Sequence, residues 1–245
     1  MTGQAERARL GAVRAARGEI GTLDIGIIPT ADNITLMRAI RRFCHRYPQV
    51  KVSIHSLSTA AQVAAIHRGE IQVGFVRLPV RDDSLDIRPV LRESLIVAMP
   101  AGHVLARRRT VPLRLLAKEP FVLFPRYLAP DYYDSIISVF YAAGLRLDIA
   151  HESEHVQTIL GLVLSGFGVS VLPQSIRSSS HRGVIYRPLA GVGPFVETGL
   201  VFAGGNNSSA LRAFCDTVTA ALVAPARARP SSQPTPRRYV RSKSP

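Results

Sequence analysis

The side chains best placed for chemistry are three hydroxyls. Thr30 follows the apolar run LDIGII (23–28) and precedes a helical pattern, while Ser58 and Thr59 follow a second strand-like run and precede another. In an open parallel sheet such strand-to-helix junctions share the carboxyl edge, where helix N-termini aim unpaired N–H groups at a common crevice. A carboxylate would be held there. The competing reading is helix capping, because Thr59-x-x-Gln62 has the spacing of a capping box that satisfies those same donors. HESEH (151–155) matches the zinc-hydrolase pattern H-E-x-x-H, which requires both histidines on one helical face. Here the segment follows the strand-like RLDIA and precedes the helical VQTILGLV, so His151 and His155 straddle a junction. No metal site is expected. Gly166-Phe167-Gly168 has the look of half a dinucleotide fingerprint, but it lies after a helix and leads into a strand, the reverse of the order that motif needs. A tight turn explains it. The sequence has no G-x-S-x-G, P-loop or Cys–His pair at catalytic spacing, and His45, His55, His67, His103 and His181 are scattered singly. Nothing nominates a nucleophile, so no catalytic residue and no cofactor are expected.

The elements that must carry those hydroxyls alternate. Strand 23–28 is followed by a helical pattern from about Asp32 to Tyr47, with Ile34, Met37, Ile40, Phe43 and Cys44 at helical spacing and Pro48 as a stop. A strand at Lys51–His55, a helix at Thr59–Arg68 ended by Gly69, and a strand at Ile71–Phe75 complete a β-α-β-α-β opening, which implies parallel pairing. The texture is strand-rich from Asp86 to Met99. A second alternation begins at FVLF (121–124), with helices expected at Asp131–Ala143 and Ser153–Leu164 and strands near Leu145–Ala150, Val169–Leu172 and Val184–Arg187. An apolar strand at 196–203 and an amphipathic helix at Ser208–Val223, capped by Asn207 or Ser208, should return to the first unit.

Composition narrows the class. The 245 residues are 47% apolar, enough for sizeable cores, and carry a net charge of +14. The excess is terminal: residues 1–17 contribute +3 and the Pro/Ser/Arg-rich residues 225–245 contribute +6, leaving a mildly basic body. The tail reads as disordered. The Arg107–Arg109 run, between Pro100 and Pro112, reads as a solvated loop. Two cysteines, Cys44 and Cys215, suit a reducing compartment, and a bridge between them is the one redox alternative. No export signal is evident in the first thirty residues, and the most apolar stretch, 159–173, is broken by glycine and serine and is shorter than the ~18 residues of a membrane span. A cytoplasmic protein without a membrane segment is the expectation.

Several separated segments resemble the effector-binding (substrate-binding) domain of LysR-type transcriptional regulators over about residues 5–223. They are an Ala/Arg-rich helix at 4–17 ending in GEIGTLDIGIIPT, then FCHRYPQVKVSI, STAAQVAAIHRGEIQVGFVRLP, VLRESLIVAMPAGHVLA and EHVQTILGLVLSGFGVSVLP. Gln72 stands where the family commonly has Asp. The wording around GFVRL, VLRES and VQTILGLV is similar to the subgroup that senses muconate, benzoate and related products of aromatic degradation.

The resemblance implies a type II periplasmic-binding-protein-like fold of two Rossmann-like α/β lobes joined by crossover strands. Residues 20–98 with 196–224 would form lobe I and residues 99–195 lobe II, with a linker helix in 1–19 and the basic tail at 225–245. It places Thr30 and Thr59 on the effector's carboxylate, with Pro29 and Ser58 beside them. Arg77 and Arg92 fall near the effector sites, and Pro125, Tyr127 and Phe167 would be crevice walls. The implied partners are a small carboxylate effector, further copies in a dimer or tetramer, and DNA through a winged helix-turn-helix, a module this sequence does not contain. The function would be transcription regulation without chemistry on the ligand. A transport-type solute-binding protein is the alternative on the same fold, and it would require an export signal.

Overall fold

The computed structural model describes residues 19–29, 34–179, 181–191, 194–206 and 208–223. The expected linker helix, Thr30, Asn207 and the basic tail therefore lie outside the described residues. The first strands are β1 (Ile20–Ile27), β2 (Gln49–Ser56) and β3 (Val73–Arg77), separated by helices α1 (Ile34–Arg46) and α2 (Thr59–His67). Both pairings of β1 are parallel, to β2 and to β3. In α1 the residues Leu36, Ala39, Ile40 and Phe43 recur at spacings of three and four, so one stripe is buried while Arg38, Arg41, Arg42, His45 and Arg46 stay exposed.

Strand β4 (Leu85–Pro100) sets the architecture. Its first ten residues pair antiparallel with β9 (Phe195–Ala203), slipping register between Pro89 and Leu91, and its last six pair antiparallel with β7 (Ser170–Pro173) and β8 (Val184–Pro188). Because β9 also pairs antiparallel with β3, one sheet runs β2-β1-β3-β9-β4-β7. Lobe I is thus mixed, with a parallel trio finished by an antiparallel return strand. Two parallel strands, β5 (Pro120–Leu123) and β6 (Asp148–Glu152), lie beside β7, joined by a bridge between Phe121 and Val169. Helices α3 (Pro130–Ala142) and α4 (Val156–Leu164) complete the second unit, and α5 (Ser209–Val223) returns to pack on α1.

Buried side chains separate along the same line. Residues from Leu95 to Val196, including Phe121, Ile136, Phe140 and Ile159, form one core. Leu23, Ile25, Phe43, Phe75, Phe214 and Val218 belong to another beneath α1 and α5, and Ala65, Ile66, Val76 and Val201 form a third under α2. Both cysteines are free, and burial pushes the Cys215 thiol up to about 12, so it stays protonated near neutral pH.

The capping box expected from Thr59-x-x-Gln62 does not form. Ser58 is the cap, its Oγ accepting the Ala61 N–H at 3.3 Å. Gln62 turns inward instead, fully buried, and its amide donates to the Leu57 carbonyl at 2.8 Å and the Phe75 carbonyl at 3.2 Å. Two glycines make room for it: Gly26 and Gly74 are partners across β1 and β3, and a Cβ on Gly26 would lie 2.6 Å from the Gln62 Oε1. A Cβ on Gly74 would crowd that oxygen still more. We expect Gly74→Ala to destabilise the domain by about 1–3 kcal/mol, and Gln62→Ala to relieve part of that cost in the double variant. Urea unfolding of the two single variants and the double checks this, with strict additivity as the contrary result.

Candidate functional site between the lobes

The carboxyl ends of β1, β2 and β3 face the amino ends of α3 and α4, and two cavities lie where they meet. One, of about 460 Å³, is lined by Ile27, Ile28, Pro29 and Ser56 on one side and by His155, Val156, Gln157 and Thr158 on the other. The second is small, about 30 Å³, with Thr59, Arg77, Leu78 and Pro79 opposite Ala129, Pro130, Asp131 and Tyr132.

Each wall has a local cause. The N-cap position of α4 is His155, which makes no side-chain capping bond, and the first turn carries no acid. The positive dipole end of α4 therefore faces the first cavity. In the second, the Thr59 Oγ1 accepts the Arg77 backbone N–H at 3.2 Å, which leaves the hydroxyl hydrogen free to donate. The Arg77 side chain is 5% exposed and donates from Nη1 to the Thr198 Oγ1 at 2.7 Å. Its guanidinium lies 5.4 Å from the Tyr132 ring centroid, and its Nε has no hydrogen-bond partner.

Burial holds the Arg77 pKa below its ordinary value, opposed by attraction to Tyr132 and Glu93. Burial also raises the Tyr132 phenol above its usual range, with Arg77 pulling the other way. Glu93, 8% exposed, accepts the Ser175 N–H at 2.8 Å on Oε1. Arg77, Thr198, Glu93 and Tyr132 thus form a nearly dry polar knot where β3, β4, β9 and α3 converge.

The structure brings together Thr59, Ser58, Arg77 and, in the neighbouring cavity, Pro29. Thr30 lies outside the described residues. Pro125 occupies the N-cap position of the short turn Arg126–Leu128 leading toward α3, and Tyr127 on that turn is exposed and donates its hydroxyl to Glu154. Two candidates lie elsewhere among the described residues. Arg92 is exposed on β4, 3.7 Å from Glu197 and 3.5 Å from the Phe195 ring centroid, and it lines a different depression with Leu222 and Val223. Phe167, on the α4–β7 turn, stands edge-on to His151 at 5.2 Å and lines neither cleft cavity.

His151 and Glu152 lie in β6 while α4 begins only at Val156, so the H-E-x-x-H spacing does not wrap a helix. Sequence reasoning missed Tyr132, Thr198, Glu93 and the α4 N-terminus. The helix was expected from Ser153, which would have hidden His155 within it. Tyr132 and Thr198 carried no local signal, since they meet Arg77 only across the fold. Gln72, at the family's usual Asp position, bonds the Asp24 N–H through Oε1 at 2.8 Å and so ties the turn before β3 to β1.

Two α/β units on shared crossover strands, with helix N-termini and a buried cation facing a crevice, define a two-lobed ligand-sensing domain of the type II periplasmic-binding-protein kind. The family model of the LysR substrate binding domain matches residues 16–223, so the chain belongs to the LysR family of transcriptional regulators. Over 209 residues it is 31% identical to the HTH-type transcriptional regulator IlvR of Caulobacter vibrioides, covering 84% of this chain and 70% of that protein. It is 30% identical over 174 residues to the HTH-type transcriptional regulator BenM of Acinetobacter baylyi, covering 70% and 55%.

Among solved structures, the LysR family regulator CbnR superposes with a TM-score of 0.79 at 26% identity, covering 89% of this chain and 75% of that one. The BenM effector binding domain with its effector benzoate superposes with a TM-score of 0.71 at 26% identity, covering 81% and 90%. These regulators are not enzymes. The resemblance read from the sequence and its fold class are borne out.

The polar knot yields a stability prediction. Arg77→Met keeps the volume but removes the bond to Thr198 and the charge that attracts Glu93, leaving buried polar groups without a partner, which costs about 1–3 kcal/mol. Arg77→Met/Glu93→Gln should recover much of that loss. Chemical denaturation of both variants measures it, and equal stability of the two would contradict the coupling.

Proposed function

We propose that this domain senses a small carboxylate bound between its lobes and that occupancy, by selecting one hinge angle, regulates transcription through the regulator to which the domain belongs. The observation that carries the reading is that the Thr59 hydroxyl and the Arg77 neighbourhood in one cavity, and the N-terminus of α4 in the next, lie along the same seam between the two units. All three favour negative charge, and they come from both lobes. A ligand bridging them stabilises the arrangement in which they are close, and its effect equals its differential affinity for the two arrangements.

We assign Thr30 and Thr59 to the carboxylate, with Pro29 and Ser58 at its side and Arg77 behind. The effector class we favour is that of benzoate and muconate, supported by the sequence wording and by the likeness to the BenM domain with its effector benzoate. In this reading lobe I comprises residues 20–98 and 196–224 and lobe II residues 99–195. Further copies would pair through this domain, DNA would be reached through a winged helix-turn-helix, and the setting would be the cytoplasm. Among the described residues no helix is long and apolar enough to cross a membrane.

The test is a thermal-shift titration with benzoate, cis,cis-muconate and other small carboxylates. A ligand at ~100 times its Kd adds about 2.7 kcal/mol to the folded state, which shifts the midpoint by several degrees. Thr30→Ala and Thr59→Ala should each remove most of that shift, measured from each variant's own unliganded midpoint, which Thr59→Ala lowers by taking the acceptor from the Arg77 N–H. Stabilisation that survives both substitutions would place the ligand elsewhere, and no stabilisation by any carboxylate would remove the effector class.

A further inference from the structure

A further cavity lies outside the crevice just described. It has a volume of about 650 Å³, within the ~300–1,000 Å³ usual for small-molecule sites. Leu78, Pro79, Asp131 and Tyr132 line both this cavity and the Thr59–Arg77 one, so the two share a wall. Its other surfaces come from Val80 and Ile87 of one lobe, from Ser135, Ser138 and Val139 on the outer stripe of α3 in the other, and from Phe195 and Glu197 at the start of β9. Lobe I, lobe II and a crossover strand all contribute.

Its chemistry is the reverse of the carboxylate site. The walls are mainly apolar, with Phe195 left 48% exposed at one side. No Lys, Arg or His lines it. Apart from the buried Tyr132 phenol, every polar side chain in the lining offers an acceptor. Ser135 spends its hydroxyl hydrogen on the Tyr132 carbonyl at 2.7 Å and Ser138 spends its own on the Ser135 carbonyl at 3.1 Å. Asp131 and Glu197 are carboxylates; Glu197 lies 3.7 Å from Arg92, and Asp131 interacts with Arg126. A carboxylate entering here would meet two like charges, with the buried Tyr132 phenol as the one side-chain donor in the lining. An ammonium on an apolar body would find acceptors on two sides and, at Phe195, an aromatic face of the kind that Arg92 already covers.

We propose that this cavity is a second ligand site, selective for amines carrying an aromatic or branched apolar body, and that its occupancy biases the hinge. A ligand filling it touches the segment after β3, the outer face of α3 and the first residues of β9, so it holds the two lobes at one spacing. Effector and amine would then influence each other's affinity through the shared wall, reciprocally, as linkage requires.

The experiment titrates the protein with 2-phenylethylamine and, in parallel, with 3-phenylpropionate, its anionic counterpart of similar shape. Methyl resonances of Val80, Ile87 and Val139 are followed by NMR, together with the thermal midpoint. We expect saturable shifts of those methyls with the amine, and at least tenfold weaker binding of the acid there. Val139→Trp, which fills the cavity, should abolish the response. Asp131→Asn/Glu197→Gln, which changes only charge at exposed and half-buried positions, should weaken amine binding about tenfold and serves if the filled variant does not fold. Thr59→Ala should leave the amine response intact, which separates this site from the carboxylate crevice. Absence of saturable shifts, equal binding of the acid, or an amine response unchanged in the Asp131/Glu197 variant would each overturn the proposal.

Discussion

A guanidinium taken out of water at the joint between two lobes constrains everything around it. Arg77 closes β3 at the point where the return strand β9 and the long strand β4 run past, and burial opposes its charge. Isolated, that charge would be too costly to bury, so the neighbouring positions must supply an acceptor, an aromatic face and an opposite charge. Thr198, Tyr132 and Glu93 do so from three different elements. Each partner is also a structural commitment: Thr198 lies on the crossover, Tyr132 begins the helix that faces the crevice, and Glu93 sits one residue before β4 changes partners from β9 to β7 and β8.

That knot explains why the joint is suited to switching. The lobes have separate apolar cores, each closed by its own helices, while the strands between them carry polar contacts that depend on relative position. Apolar cores resist deformation because they are close-packed, so movement concentrates where the packing is polar and thin. The two cavities share the wall formed by Leu78, Pro79, Asp131 and Tyr132 at this joint. The two cavities differ in what they can hold. One faces helix N-terminal donors and a cation, the other faces acceptors and apolar surface, and the difference follows from which side of α3 is turned toward each.

Local chemistry accounts for most of what the sequence disclosed. Helices α1 and α5 follow from apolar spacing, Pro48 ends the first of them, and β3 reads as a buried strand because every residue in it is apolar, glycine or the arginine that ends it. The junction hydroxyls were placed at the carboxyl edge by nothing more than strand-then-helix order. The Thr59-x-x-Gln62 spacing left capping open as the competing reading, because a glutamine three residues into a helix is equally able to reach back or to turn inward. The pair Gly26 and Gly74, 48 residues apart in pairing strands, opened the space that decided it.

By itself the sequence determined the element order, the alternation that makes two α/β units, the positions of the candidate hydroxyls and the family. Those properties depend on period, caps and breakers, which act within a few residues. Tertiary structure alone decided that β9 runs antiparallel into the parallel trio, that one strand serves both lobes, that Arg77 finds Thr198 across 121 positions, and that α4 begins only at Val156. It also decided that Arg92 and Phe167, crevice residues by family resemblance, line neither cleft cavity. The physical reason is common to all of these: they are settled by which distant groups share a desolvated volume, and desolvation is a property of the assembled fold.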